Sequence, residues 1–271
     1  MAFIDRIGVD FGRHVAVEEA VRIAAEHAVR YIDCQMDIGA NALESFDAAR
    51  CERVRAACAE GGIHLGLHTL SAVNVAEVSP FVRAAVDRYL ETYVDLAERL
   101  HAAWVVIHAG YHFTADKELR MAAALERIER TTAHAESRGV QLLLENMNWE
   151  PERAEVHYLG YSVEECRRFF DRITSPALKW SFTINHATLV PDGIAGFLDA
   201  MPAERLGEVR LADNNGEYEL HMYPGSGIID FADTFRRIEA TGYAGHYTAA
   251  FGTIDDMLRA RPLLAGYYDE P

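Results

Sequence analysis

The 271-residue chain predicts a closed (β/α)8 barrel, and three observations predict it. Eight short β-rich runs alternate with amphipathic helical stretches from end to end, the pattern of repeated βα units around a parallel sheet. The length suits one such barrel, which typically takes about 250 residues. Three apolar runs end in a residue able to do chemistry: 63–67 in His68, 104–107 in His108 and 140–144 in Glu145. Strand C-terminal tips are where parallel α/β folds carry their active sites.

The units follow one another without a break. Residues 4–11 give the first strand and 17–28 the first helix. The second pair is 29–36 and 48–60, the third 63–70 and 80–100, the fourth 103–109 and 117–138. The fifth strand, 140–147, and the helix at 163–173 are separated by the irregular stretch 148–162. Strand 178–184 leads to helix 194–201, strand 207–212 to helix 231–241 through a second long irregular stretch, 213–229, and strand 245–251 to helix 254–265. Several helices stop at a glycine just before the next strand, the usual left-handed terminator. No linker or low-complexity tract interrupts the pattern, so a single domain over residues 1–271 is expected. Both long loops fall on the strand-end rim, where loops of that length are usually functional.

Composition narrows the function. With 26 basic against 42 acidic residues the formal net charge is −16, which repels polyanions, so no nucleic-acid partner is expected. No stretch reaches the roughly 18 apolar residues of a membrane span, and Asp5 and Arg6 interrupt the first apolar stretch where a signal-peptide core would lie. A cytoplasmic protein without a membrane partner is the expectation. Cys34, Cys51, Cys58 and Cys166 form no C-x-x-C pair and read as reduced structural thiols.

Imidazole nitrogen and carboxylate oxygen suit zinc, manganese and iron, so ligands converging from several strands make a plausible metal site. Glu145 carries the most weight, because a carboxylate after a buried apolar run needs a cation or several donors.

The stretches His68-Thr69-Leu70 with Asn74, His108-Ala109-Gly110, Leu144-Glu145-Asn146, Thr183-Ile184-Asn185-His186-Ala187, Leu211-Ala212-Asp213-Asn214 and His221 to Gly227 resemble the xylose isomerase-like TIM-barrel superfamily. That superfamily holds sugar and sugar-phosphate isomerases and epimerases, inositol-catabolism enzymes, dehydroshikimate dehydratases and apurinic endonucleases. The resemblance spans almost the whole chain and implies the fold more strongly than any one reaction. In single-metal members, Glu, Asp, His and Glu at the fifth to eighth strands hold one divalent ion. The matching positions here are Glu145, Thr183, Arg210 and Ala250, of which only the first is a good ligand. The usual four-ligand site is therefore expected to be degenerate.

The endonuclease-like branch uses further ligands, and two sets match them: His68, His108 and Glu145, or His186, Glu219 and His221. A divalent ion at one of these non-standard sites, or no ion at all, are the alternatives. The recurrent step of the superfamily, removal of a carbon-bound proton with stabilisation of an enediolate, implies catalytic roles for Glu145 as base or ligand, His186 or His108 as acid, and Arg210 as electrophile or anion clamp. His68, Trp149, Tyr111, His112, Trp180 and Tyr223 are candidate pocket-lining residues. Ala250 removes one of the two bases a 1,1-proton-transfer epimerase needs, which puts isomerisation, dehydration or lyase chemistry at least level with epimerisation. The expectation is an isomerase, epimerase or lyase acting on a small sugar, polyol or hydroxy acid, possible as a homo-oligomer. The other classes are a metal-dependent phosphodiesterase and a non-catalytic ligand-binding barrel.

Overall fold

Each of the eight apolar runs forms a parallel strand in the computed structural model, which describes residues 2–13 and 15–269. They are β1 (Ile7–Gly12), β2 (Tyr31–Gln35), β3 (His64–His68), β4 (Trp104–Ile107), β6 (Leu142–Glu145), β8 (Leu178–Thr183), β9 (Leu206–Leu211) and β10 (His246–Ala249). Neighbours pair in chain order and the sheet closes where Ile7 of β1 meets Tyr247 of β10. The strands are shorter than expected at their ends. Residues 3–6, for example, wind into a 3-10 turn before β1.

The outer layer is α1 (Val17–Glu26), α2 (Ala48–Gly61), α3 (Pro80–Leu100), α4 (Lys117–Arg138), α5 (Val163–Arg172), the short α6 (Ile184–Ala187), α7 (Gly193–Ala200), α8 (Phe231–Ala240) and α9 (Ile254–Asp269). Local chemistry sets their ends. Asp47 caps α2 by accepting from the Arg50 amide, and Gly62 and Gly139 terminate α2 and α4 at φ of 60° and 67°, where a side chain would be strained. Among the described residues no helix is long and apolar enough to cross a membrane.

Strand alternation divides the core. Val9, Ile32, Val105, Leu144 and Leu211 face the helices and join the main apolar cluster, whereas Trp104, Val106 and Leu143 form a separate cluster with Tyr31 inside the barrel. Trp104 lies against Gly66 so closely that a Cβ there would fall 2.1 Å from its ring. The rest of the interior is polar. Buried Glu208 accepts from Ser181 (2.6 Å) and Thr248 (3.2 Å) and pairs with His246 at 3.2 Å. Burying that carboxylate is tolerable only with such donors around it.

Two features of the rim were not expected. Residues 148–162 are not wholly irregular: β7 (Val156–Tyr158) pairs antiparallel with β5 (Tyr111–Phe113), placing His112 opposite His157. In the loop after β9, the Asp213 carboxylate accepts from the amides of Asn214, Gly225, Gly227 and Ile229 at 2.8–3.1 Å, which fixes the chain that carries Glu219 and His221. Gly227 is required there, because a Cβ would fall 2.3 Å from the Asn214 carbonyl oxygen.

Candidate active site

The strand ends bring Glu145, His68, His108, His186 and Arg210 to the same end of the barrel. Glu145 closes β6 and is buried. Its Oε1 accepts from the Thr183 hydroxyl at 2.5 Å and its Oε2 lies 3.1 Å from His108 Nε2. Burial would raise its pKa, but the His108 hydrogen bond and the nearby Arg210 guanidinium, 3.9 Å away, hold it well below the usual carboxylate range. Such a carboxylate is a poor proton acceptor and a good partner for a cation.

His68, at the tip of β3, holds Asp33 through Nδ1 (2.8 Å) and turns Nε2 toward His108 Nε2 (3.2 Å) and Glu145 (3.6 Å). Burial works against its cation, yet the charge of Asp33 raises its pKa; burial lowers that of His108. Asp33 sits fully buried in the middle of β2, where burial opposes ionisation but His68 and Arg210 bring its pKa down to about 2. One of its oxygens, Oδ1, has no hydrogen-bond partner.

Arg210, on β9, is engaged by acids. Its Nη1 donates to Asp33 at 2.5 Å and lies 3.5 Å from Glu208, and its Nη2 donates to Asp10 on β1. The anion clamp expected of Arg210 thus has its terminal nitrogens already facing carboxylates of the protein. Asp10 and Asp33 escaped the sequence reading. The available signal was the one that exposed Glu145, a lone acid in an apolar strand.

Across the mouth, His186 donates from Nδ1 to the Asn146 carbonyl (2.8 Å) and His221 from Nδ1 to the Ala250 carbonyl (2.5 Å). Both turn Nε2 to Glu219 Oε1, at 3.6 Å and 2.6 Å. Carbonyls only accept, so Nδ1 carries the proton in both rings. His221 must then be an imidazolium to donate to Glu219 as well, and its pKa is raised by that carboxylate despite burial. Glu219, opposed by burial, is held below the carboxylate range by the two imidazoles.

The two triads differ in geometry. In the first, the three ligand atoms of His68, His108 and Glu145 are 3.1–3.6 Å apart. An ion with bonds of about 2.0–2.2 Å in tetrahedral coordination has ligand separations of about 3.3–3.6 Å. The second contains a 2.6 Å contact, the length of a hydrogen bond and too short for two ligands of one ion. At the ordinary four-position site, Thr183 already donates to Glu145, Arg210 is itself a cation, and Ala250 has no side-chain donor. Those residues do not fit a metal.

The other pocket candidates divide. His112 and Trp149 line one cavity beside β5 and β7, Tyr111 packs edge-on against Tyr158, and half-exposed Tyr223 sits over Phe251. Trp180 instead packs between Phe182 and Phe197 in the fully buried core.

A family model described as a xylose isomerase-like TIM barrel matches residues 21–257. Uncharacterized protein MJ1311 of Methanocaldococcus jannaschii is 26% identical over 207 residues, 73% of this chain and 68% of that protein. The L-ribulose 3-epimerase of Methylomonas sp. (strain DH-1) is 25% identical over 190 residues, 68% of this chain and 62% of the epimerase. Among solved structures, a D-tagatose 3-epimerase-like protein superposes with a TM-score of 0.84 at 21% identity, over 97% of each chain. At that identity the likeness is one of fold.

Proposed function

The chain belongs to the xylose isomerase-like TIM-barrel family, and from that premise we propose that it is an isomerase- or epimerase-type enzyme moving a proton bound to the carbon beside the carbonyl of a small sugar. The observation that carries this reading is the contrast between the two triads. The ligand atoms of His68, His108 and Glu145 lie 3.1–3.6 Å apart, close to the separations around a tetrahedral ion, whereas His221 and Glu219 lie 2.6 Å apart, at a hydrogen-bond distance.

His68, His108 and Glu145 would hold a divalent ion such as zinc, manganese or iron. When bound there, such an ion polarises a substrate carbonyl and steadies the charge of an enediolate. Asp33 fixes the His68 ring from behind, an arrangement that orients metal-binding imidazoles. Arg210 keeps Asp33 and Asp10 in place. His186, Glu219 and His221 are the acid–base group: Glu219 and His221, 2.6 Å apart, handle the carbon-bound proton as one coupled pair, with His186 3.6 Å from the same carboxylate oxygen. Arg210 is committed to carboxylates and is not free to bind a phosphate or carboxylate substrate; Arg13, which lines the hollow beside His68, is the cation such a group would meet there.

Elimination of water from the same enediolate is the second reading. It is favoured by Ala250, which leaves the end of β10 without a carboxylate to return a proton from the opposite face. The test is incubation with a panel of free ketoses and their epimers in D2O, read by NMR. Deuterium at a carbon next to the carbonyl, or an exchanged epimer, supports proton transfer; an unsaturated product supports elimination. Unchanged protons across the panel, with protein supplied in turn with zinc, manganese and ferrous iron, would count decisively against the proposal.

A further inference from the structure

Two hollows at the mouth meet along β1. One, of about 420 Å³, is bounded by Asp10, Gly12, Arg13, His68 and Thr69. The other, of about 210 Å³, is bounded by Asp10, Gly12, His221 and Ala250 and by the chain that runs from β10 into α9. Asp10 and Gly12 belong to both walls, and a carboxylate oxygen of Asp10 lies within 4.8 Å of a ring nitrogen of His68. One ligand can therefore lie across Asp10 with the ligand triad on one side and the acid–base group on the other.

The smaller hollow exists because of Ala250. Its amide continues the sheet ladder by donating to the Leu211 carbonyl at 3.0 Å, and it stands two and four positions after Thr248 and His246, whose side chains meet Glu208 inside the barrel. Alternation thus turns the Ala250 methyl toward the mouth, where it fills little space. The far wall is apolar: Phe251 and Met257 are buried members of the main cluster, and Ile254 packs against it. No Lys or Arg lines this hollow. Its ionic groups already have partners, Asp10 in the Gly12 amide (2.7 Å) and Arg210, and His221 in Glu219 and the Ala250 carbonyl. A phosphate or carboxylate would meet no unpaired cation there, and a hydroxymethyl group against the far wall would leave its hydroxyl facing hydrocarbon.

We propose that this hollow takes the alkyl end of the substrate, which makes the substrate a deoxy ketose: the carbonyl and the carbon that yields its proton lie between His68 and Glu219, the middle hydroxyls cross Asp10, and a terminal methyl rests against Phe251, Ile254 and Met257. This rests on the ketose proton transfer proposed above. It adds that Ala250 determines specificity, because the small side chain that leaves β10 without a carboxylate also opens room for a group without a hydroxyl.

The test pairs each of the four 6-deoxy-2-ketohexoses, in D and L forms, with its parent ketohexose. Calorimetry measures affinity and solvent-deuterium exchange measures turnover, both on protein supplied with manganese. For at least one pair the deoxy sugar is expected to bind about tenfold more tightly than its parent and to exchange with about tenfold higher kcat/KM. Ala250→Leu fills the hollow and should erase that preference. Ala250→Ser offers the parent's hydroxyl a partner and should shrink it by about threefold or more, with both variants melting near the wild-type temperature. Equal affinities within every pair, no binding by any of the sugars, or a preference unchanged in both variants would overturn the inference. The two proposals fail separately. Proton exchange without a deoxy preference removes the alkyl pocket and keeps the chemistry. A preference that Ala250→Leu erases, without exchange on any ketose, keeps the pocket and removes the chemistry.

Discussion

Arg210 reaches across the barrel mouth from β9 to place Nη1 2.5 Å from the buried Oδ2 of Asp33 on β2, a residue 177 positions away in the chain. Two strands, β1 and β10, lie between them in the sheet. The same carboxylate oxygen holds His68. One acid thus couples the permanent cation of the site to an imidazole of the ligand triad.

Arg210→Met should leave Asp33 and Asp10 without their counter-charge. The expected loss is about 3–5 kcal/mol of unfolding free energy, the usual consequence of stranding a buried ion. Urea unfolding of both proteins checks it; a difference below about 1 kcal/mol would show that the tie contributes little.

The acid limb of the stability profile should depend on Asp33. Its folded pKa, about 2, lies below the ordinary 3.8, so its contribution is complete above the ordinary value and disappears as pH falls through the folded one. The sign for His68 is opposite. Its pKa is raised, so its contribution is present below the ordinary 6.5 and fades as pH climbs through the raised value. Melting temperatures of wild type and Asp33→Asn between pH 2 and pH 8 should therefore converge at the acid end, separate as pH rises to the ordinary carboxylate value of 3.8, and draw closer again only as His68 loses its proton. Parallel curves would contradict this assignment.

Protein purified without chelator or polyhistidine tag is expected to retain a divalent ion measurable by mass spectrometry. His108→Ala should lose it, and Asp33→Asn should weaken its binding by about 10- to 100-fold by releasing the His68 ring. An ion that remains at wild-type occupancy in His108→Ala but leaves in His221→Ala would move the site to the other side of the mouth.

Glu219→Gln should lower the rate of solvent exchange on substrate by about 10²- to 10⁴-fold, the usual span for loss of a general acid or base. Glu219 is about one-third exposed, so little change in melting temperature is expected. Wild-type exchange in a folded Glu219→Gln protein would exclude it as the proton carrier.

The barrel was legible because its signal repeats: eight apolar runs and their helices each confirm the others, and the expected α3 and α4 ranges match the structure at both ends. Glu145, His68 and His108 were legible because strand tips are special positions. Asp33 was passed over: a lone acid inside an apolar run signals a buried carboxylate, but nothing in the run Tyr31–Gln35 names Arg210 and His68 as its partners. The antiparallel pair β5–β7 was also hidden, because three-residue strands carry no periodicity and their pairing depends on where the barrel places two distant loops. Nor could the sequence separate the triads: the choice rests on a 2.6 Å contact and on which ring nitrogen meets a backbone carbonyl.

Trp104 has a consequence for traffic. With Val106 and Leu143 beside it and Gly66 admitting its ring, it stoppers the lower half of the barrel, and His246 packs its own ring 4.2 Å away. With that end filled, ligands meet the site from the strand-tip side. Substrate and product of a proton transfer would draw on the same strand-tip residues, so each should behave as a competitive inhibitor of the other's reaction.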